Sequence, residues 1–158
     1  MSWWNPFNWG KKKKSSLDVN NLVAVHVPKL SMDKKSLHDT VHRITKIVLA
    51  HSTEFEDWKS HSVMIFQTFF EDVSYMYGLY NGLSKHPVDV FKINVKSLST
   101  LCRQQEKKIT NFEKELYHWE MYLKHNGKNV VWIKRCRSDF VVLHHLVKEM
   151  YDNCVRLS

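Results

Sequence analysis

A chain of 158 residues, 43% hydrophobic and 13% aromatic, is long enough for one compact core and too short to expect two. Its four Gly and three Pro, with Pro6, Pro28 and Pro87 all outside the periodic stretches, argue against a turn-rich β fold. The excess of 24 Lys and Arg over 16 Asp and Glu, a formal +8, favours anionic partners such as nucleic acid or acidic lipid and leaves the fold open.

The first sixteen residues, MSWWNPFNWGKKKKSS, place Trp3, Trp4, Phe7 and Trp9 ahead of Lys11, Lys12, Lys13 and Lys14. Indole rings prefer the membrane–water interface, and each charge of a polybasic run adds about 1 kcal/mol at an anionic surface. This Trp/Lys-rich tail (1–16) reads as an interfacial anchor, or as a segment whose aromatics dock into a groove on a partner or on this protein. Asn5-Pro6 and Gly10 confine any insertion to a short turn or loop. Single-stranded nucleic acid also stacks on Trp while Lys tracks phosphate, but such binders interleave the two residue types, which are segregated here. The lysines follow the apolar residues with no long apolar run after them, so no recognisable secretory signal is expected. No stretch approaches the ~20 apolar residues of a spanning helix.

Residues 17–31 read as an extended linker, because the β-branched run Leu22-Val23-Ala24-Val25-His26-Val27 is too short for a helix and is closed by Pro28. With no second strand to pair with, it is expected to lie along the bundle or to add to a sheet edge of another protein. The bundle (32–158) is read from three apolar stripes. In the first, Leu37, Val41, Ile44, Val48, His51, Phe55, Trp58, Ser62, Ile65, Phe69, Val73, Met76, Tyr80 and Leu83 recur in steps of three and four. Ser31 is a fair N-cap for it, with Asp33 suited to the positive end of the helix dipole. The spacing predicts a helix over about 32–83, while Thr53-Glu54-Phe55-Glu56 fits a capping box and so allows a break near Ser52.

A second stripe, Leu98, Cys102, Gln105, Ile109, Phe112, Leu116, Trp119 and Leu123, predicts a helix over about 90–125 that Asn126-Gly127 ends. A third, Ile133, Cys136, Phe140, Leu143, Val147, Met150, Cys154 and Leu157, predicts one over about 128–157. The expected fold is all-α: an elongated antiparallel three-helix bundle, or four helices if the first breaks near Ser52. In the three-helix version, the start of the first helix shares an end with the turn between the second and third. Lys124, Lys128, Lys134, Arg135 and Arg137 then form a candidate anion-binding patch beside the tail; a break at Ser52 moves the tail elsewhere.

The residue patterns give little support to catalysis. His38 and His42 lie four apart on a helix without a Cys or carboxylate pattern to complete a zinc site. Glu115 and His118 have a di-iron spacing that occurs once where two copies are needed, and Leu116 and Trp119 take the inward positions. His144, His145 and Glu149 flank a stripe owned by Leu143 and Val147. His51 is expected to be a core histidine facing Gln105, a polar layer that can fix register. No phosphate loop, nucleophile elbow or dinucleotide fingerprint is present. Cys102, Cys136 and Cys154 form no CxxC pair and sit on apolar stripes, as buried thiols of an intracellular, reducing compartment do.

No metal, cofactor, small-molecule substrate or enzymatic activity is therefore expected. The leading expectation is a helical scaffold or adaptor that self-associates or holds a protein partner and reaches an anionic membrane surface through its tail. The alternatives are a structural subunit of a larger assembly, such as a virion component whose tail docks into a neighbour, and a nucleic-acid-binding helical protein.

Overall fold

A computed structural model describes residues 25–54 and 63–158. They are all-α, with no β-strand among the described residues: α1 (Lys34–Ala50), α2 (Val63–Asn81), one turn of 3-10 helix (Leu83–Lys85), α3 (Val88–His125) and α4 (Val131–Leu157). The tail 1–16 and the first half of the linker lie outside the described residues, as do Phe55, Trp58 and Ser62 of the first stripe.

The uninterrupted helix expected over 32–83 does not form. α1 stops at Ala50, where His51 leaves helical geometry (φ −119°, ψ 27°) and donates its backbone N–H to Ile47 O at 3.1 Å. Among the described residues the interruption is confined to His51, since residues 52–54 are helical again. At the other end Asp33, not Ser31, is the N-cap; its carboxylate accepts from Ser36 N–H at 2.7 Å. That bond holds the Asp33 carboxyl below its ordinary pKa. Asn126-Gly127 ends α3 as the sequence suggests: Gly127 adopts φ +71°, and Lys128 N–H reaches back to Leu123 O at 2.9 Å.

Consecutive helices run antiparallel, and α4 closes back on α1. Between α1 and α4, Ser31 meets Glu149, Arg43 meets Asp139 and His51 meets Trp132, so rising numbers on one chain face falling numbers on the other. The same inversion relates α2 to α3 through Phe69–Phe112 and Lys108–Asp72. It relates α3 to α4 through His144–Glu113 and Arg137–Glu120. Two ends result. The turn end holds the finish of α1, the α3–α4 turn and the start of α4; the inlet end holds residues 25–33, the α2–α3 connection and the last turns of α4.

The core is one cluster, contributed by all four helices. Phe66, Phe69, Phe70, Phe112 and Phe140 form its centre, with ring centroids between 5.0 and 6.2 Å apart for the contacting pairs. The stripes of α3 and α4 are buried as their spacing implies, from Leu98 to Trp119 and from Ile133 to Cys154. In α2 and the 3-10 turn after it, Phe69, Val73, Met76, Tyr80 and Leu83 are buried as the first stripe implies, whereas Ile65 is 42% exposed and its neighbour Phe66 is buried instead. Gln105 is buried as expected, yet its Nε2 lies 3.5 Å from Asp72 Oδ2 and it does not face His51.

The described part of the linker, residues 25–31, lies along the bundle. Leu30 is buried; Tyr77 Oη donates to Met32 O at 2.7 Å and Tyr80 Oη donates to Pro28 O. Asn153 Nδ2 donates to the same Tyr80 hydroxyl at 3.0 Å, and Ser31 gives its N–H and Oγ–H to the Glu149 carboxylate, the latter at 2.9 Å.

Candidate functional site

The turn end gathers the residues with the most distinctive chemistry. Trp132, on the first turn of α4, is sandwiched between two elements: the His51 ring stacks on it at 3.8 Å and 10°, and buried Trp119 meets it edge-on at 5.2 Å. His51 also hydrogen-bonds Glu54 through Nδ1 at 2.9 Å. The residue expected in mid-bundle thus clasps the end of α1 onto α4, a role created by the helix break.

The cations around this clasp divide into paired and unpaired. Arg43 makes two hydrogen bonds to the Asp139 carboxylate, at 3.1 and 3.3 Å. Arg137 Nη1 lies 2.6 Å from Oε1 of buried Glu120, and its guanidinium sits 4.9 Å over the Tyr117 ring. Lys46, Lys124, Lys128, Lys134 and Arg135 are exposed, and none of them has a carboxylate partner among the described residues. Lys46, Lys134 and Arg135 line one groove of about 540 Å³ between α1 and α4.

The structure therefore brings Lys124, Lys128, Lys134 and Arg135 of the sequence-derived patch to one end, and turns Arg137 inward onto Glu120. It adds Lys46, with Arg43 close by, from a helix that sequence reasoning placed as part of a longer rod. Their signal was the spacing Arg43–Lys46, one turn apart on the face that α4 meets, which has meaning only once α1 ends at Ala50. The tail itself lies outside the described residues, so only the point where the chain enters the bundle can be placed against the patch. The linker joins α1 at the inlet end, and the patch lies at the other.

The remaining reactive groups are buried thiols and histidines with side-chain partners. Burial pushes the Cys102 thiol to about 12, with Cys154 and Glu106 adding to the shift; it pushes Cys136 to about 12 and Cys154 to about 11. At neutral pH these are protonated, poorly nucleophilic groups. His144 bridges α4 to α3, with Nδ1 2.8 Å from Glu113 and Nε2 3.5 Å from Glu106. Among the described residues no three His, Cys, Asp or Glu side chains gather to hold a metal ion, and the His38 and His42 rings simply stack at 6.2 Å. No described helix is long and apolar enough to cross a membrane. Compared with known proteins, the chain matches no family model, no curated protein and no solved structure.

Proposed function

We propose that the protein is a non-enzymatic helical scaffold that attaches peripherally to an anionic membrane surface through Trp3, Trp4, Phe7, Trp9 and Lys11 to Lys14, and offers its turn end to a second, acidic partner. The observation that supports this reading is that the described chain enters the bundle at the inlet end, through Pro28 and Ser31, whereas the patch lies at the turn end. α4 alone spans ~40 Å at 1.5 Å per residue, several times the ~8 Å screening length of physiological salt. The patch of Lys46, Lys124, Lys128, Lys134 and Arg135 is thus presented well away from the point where the leading segment joins the bundle.

Co-sedimentation of the full chain with phosphatidylcholine vesicles containing phosphatidylserine tests the division of labour. Removal of residues 1–14 should abolish sedimentation and leave the helical circular dichroism intact. Lys134→Glu with Arg135→Glu should sediment as the wild type does. Undiminished sedimentation of the truncated chain would overturn the reading.

The unpaired cations favour nucleic acid as the second reading of the turn end. Binding of a mixed-sequence RNA should then weaken steeply with salt. The Lys134→Glu, Arg135→Glu protein should show a shallower dependence of log K on log salt, by about 0.7–0.9 for each phosphate no longer neutralised. A salt-independent affinity excludes it.

A further inference from the structure

A second groove, of about 680 Å³, runs over α3 and α4 at the inlet end. Its floor is apolar: Phe91 and Val95 are buried beneath it, while Val88, Val155 and Val25 open onto it, the last two 51% and 54% exposed. Its polar wall is cationic. Lys92, Lys96 and Arg103 lie along one side of α3, Arg103 is held 5.9 Å over the Tyr151 ring, and no Asp or Glu side chain is among the described residues lining the groove. An apolar trough with positive charge along one edge suits an amphiphile whose head is negative.

The dimensions choose among amphiphiles. From Val88 to Arg103 the wall extends ~22 Å along the helix. A single acyl chain spans about half of the ~30 Å hydrocarbon thickness of a bilayer, which leaves length for a head group beside the lysines. An acidic amphipathic helix, ~10 Å in diameter with its side chains, is a far thicker body and could lay only one face in the trough. We infer that this groove is a binding site for one anionic single-chain amphiphile, a fatty acid, with the chain on the apolar floor of Phe91, Val95 and Val155 and the carboxylate toward Lys92 and Lys96, one turn apart on α3. The site is built from described residues alone, and its test does not depend on membrane binding by the tail.

Calorimetric titration of the full-length protein with palmitate, kept below its critical micelle concentration, tests the assignment. Saturable binding of one palmitate per chain is expected. Hexadecyltrimethylammonium, with the same chain and the opposite head, should bind at least tenfold more weakly. Val155→Glu sets a carboxylate into the floor and should also lower palmitate affinity at least tenfold. Should that variant lose its helical circular dichroism, Lys92→Glu with Lys96→Glu, both exposed, is expected to give the same loss without unfolding. Absence of saturable binding, equal affinity for the cationic amphiphile, or unchanged affinity in the lysine variant overturns the proposal. So does binding that emerges only after residues 1–24 are removed, which would assign the groove to the protein's own leading segment, or displacement of palmitate by an acidic amphipathic peptide that binds more tightly.

Discussion

Phe140→Ala should remove about 3–5 kcal/mol of folding stability, the usual cost of emptying a fully buried phenylalanine site. The size of the loss follows from what Phe140 touches. Its ring lies 5.7 Å from Phe112, 5.9 Å from Phe66, 6.1 Å from Phe70 and 6.2 Å from Phe69, so one side chain joins α4 to both α2 and α3. Flexible side chains could collapse into the space, but these neighbours are rigid rings that each hold a further contact in the cluster. Since domains of ordinary stability have only about 5–15 kcal/mol in total, the variant should unfold at markedly lower urea. A loss below about 1 kcal/mol would mean that the aromatic centre is not packed as described. Tyr75→Ala, on the same helix as Phe70 but 63% exposed, is the matched control and should change stability by at most about 0.5 kcal/mol.

Arg137→Met should be costly in a different way, by about 2–4 kcal/mol, because it leaves the buried Glu120 carboxylate without its counter-charge. The cost is set below that of a wholly buried pair since the Arg137 side chain is 33% exposed and water reaches it. Glu120→Leu together with Arg137→Met should recover most of the loss. Replacing both partners removes the desolvated charge along with its neutraliser. Urea titration of the two variants decides the matter: a double variant no more stable than Arg137→Met would show that packing of the arginine stem, and not charge, is what the pair contributes.

Much of the helical layout is legible in the residues themselves. The stripes of α3 and α4 lie on uninterrupted helices, so a period near 3.5 residues maps directly onto burial, and Leu98, Cys102, Ile109, Ile133, Phe140 and Cys154 are all core. The first stripe misleads because its steps of three and four continue through Phe55, Trp58 and Ser62, although α1 has already ended at Ala50. An apolar rhythm records which side chains are to be buried and not whether the backbone between them is continuous. The capping-box residues after Ser52 were the better guide. Phe66, Phe70 and Tyr77 flank the first stripe and proved to be core, because in α2 a second partner helix covers the face that a three-helix arrangement leaves open.

The candidate surfaces were legible to a lesser degree. Lys124, Lys128, Lys134 and Arg135 are near in sequence, so any fold with a turn at Gly127 collects them. The contribution of Lys46 depends on which helix lies beside α4, and a single sequence does not state pairwise helix contacts. Arg137 could not be separated from its neighbours without knowing that Glu120, seventeen positions earlier, is buried opposite it. The inlet groove was invisible for the same reason, since its floor draws on Val25, α3 and the last turns of α4.

The strap formed by residues 25–33 has a mechanical consequence. A pull exerted on the leading segment reaches the bundle at Pro28, Ser31 and Met32, where bonds run to Tyr80, Glu149 and Tyr77. Load is therefore divided between α2 and α4 before α1 is stressed, and Tyr80, which also accepts a bond from Asn153, couples the two load paths. A bundle fastened this way transmits tension from its leading end into α2 and α4 at once, instead of being unzipped one helix at a time.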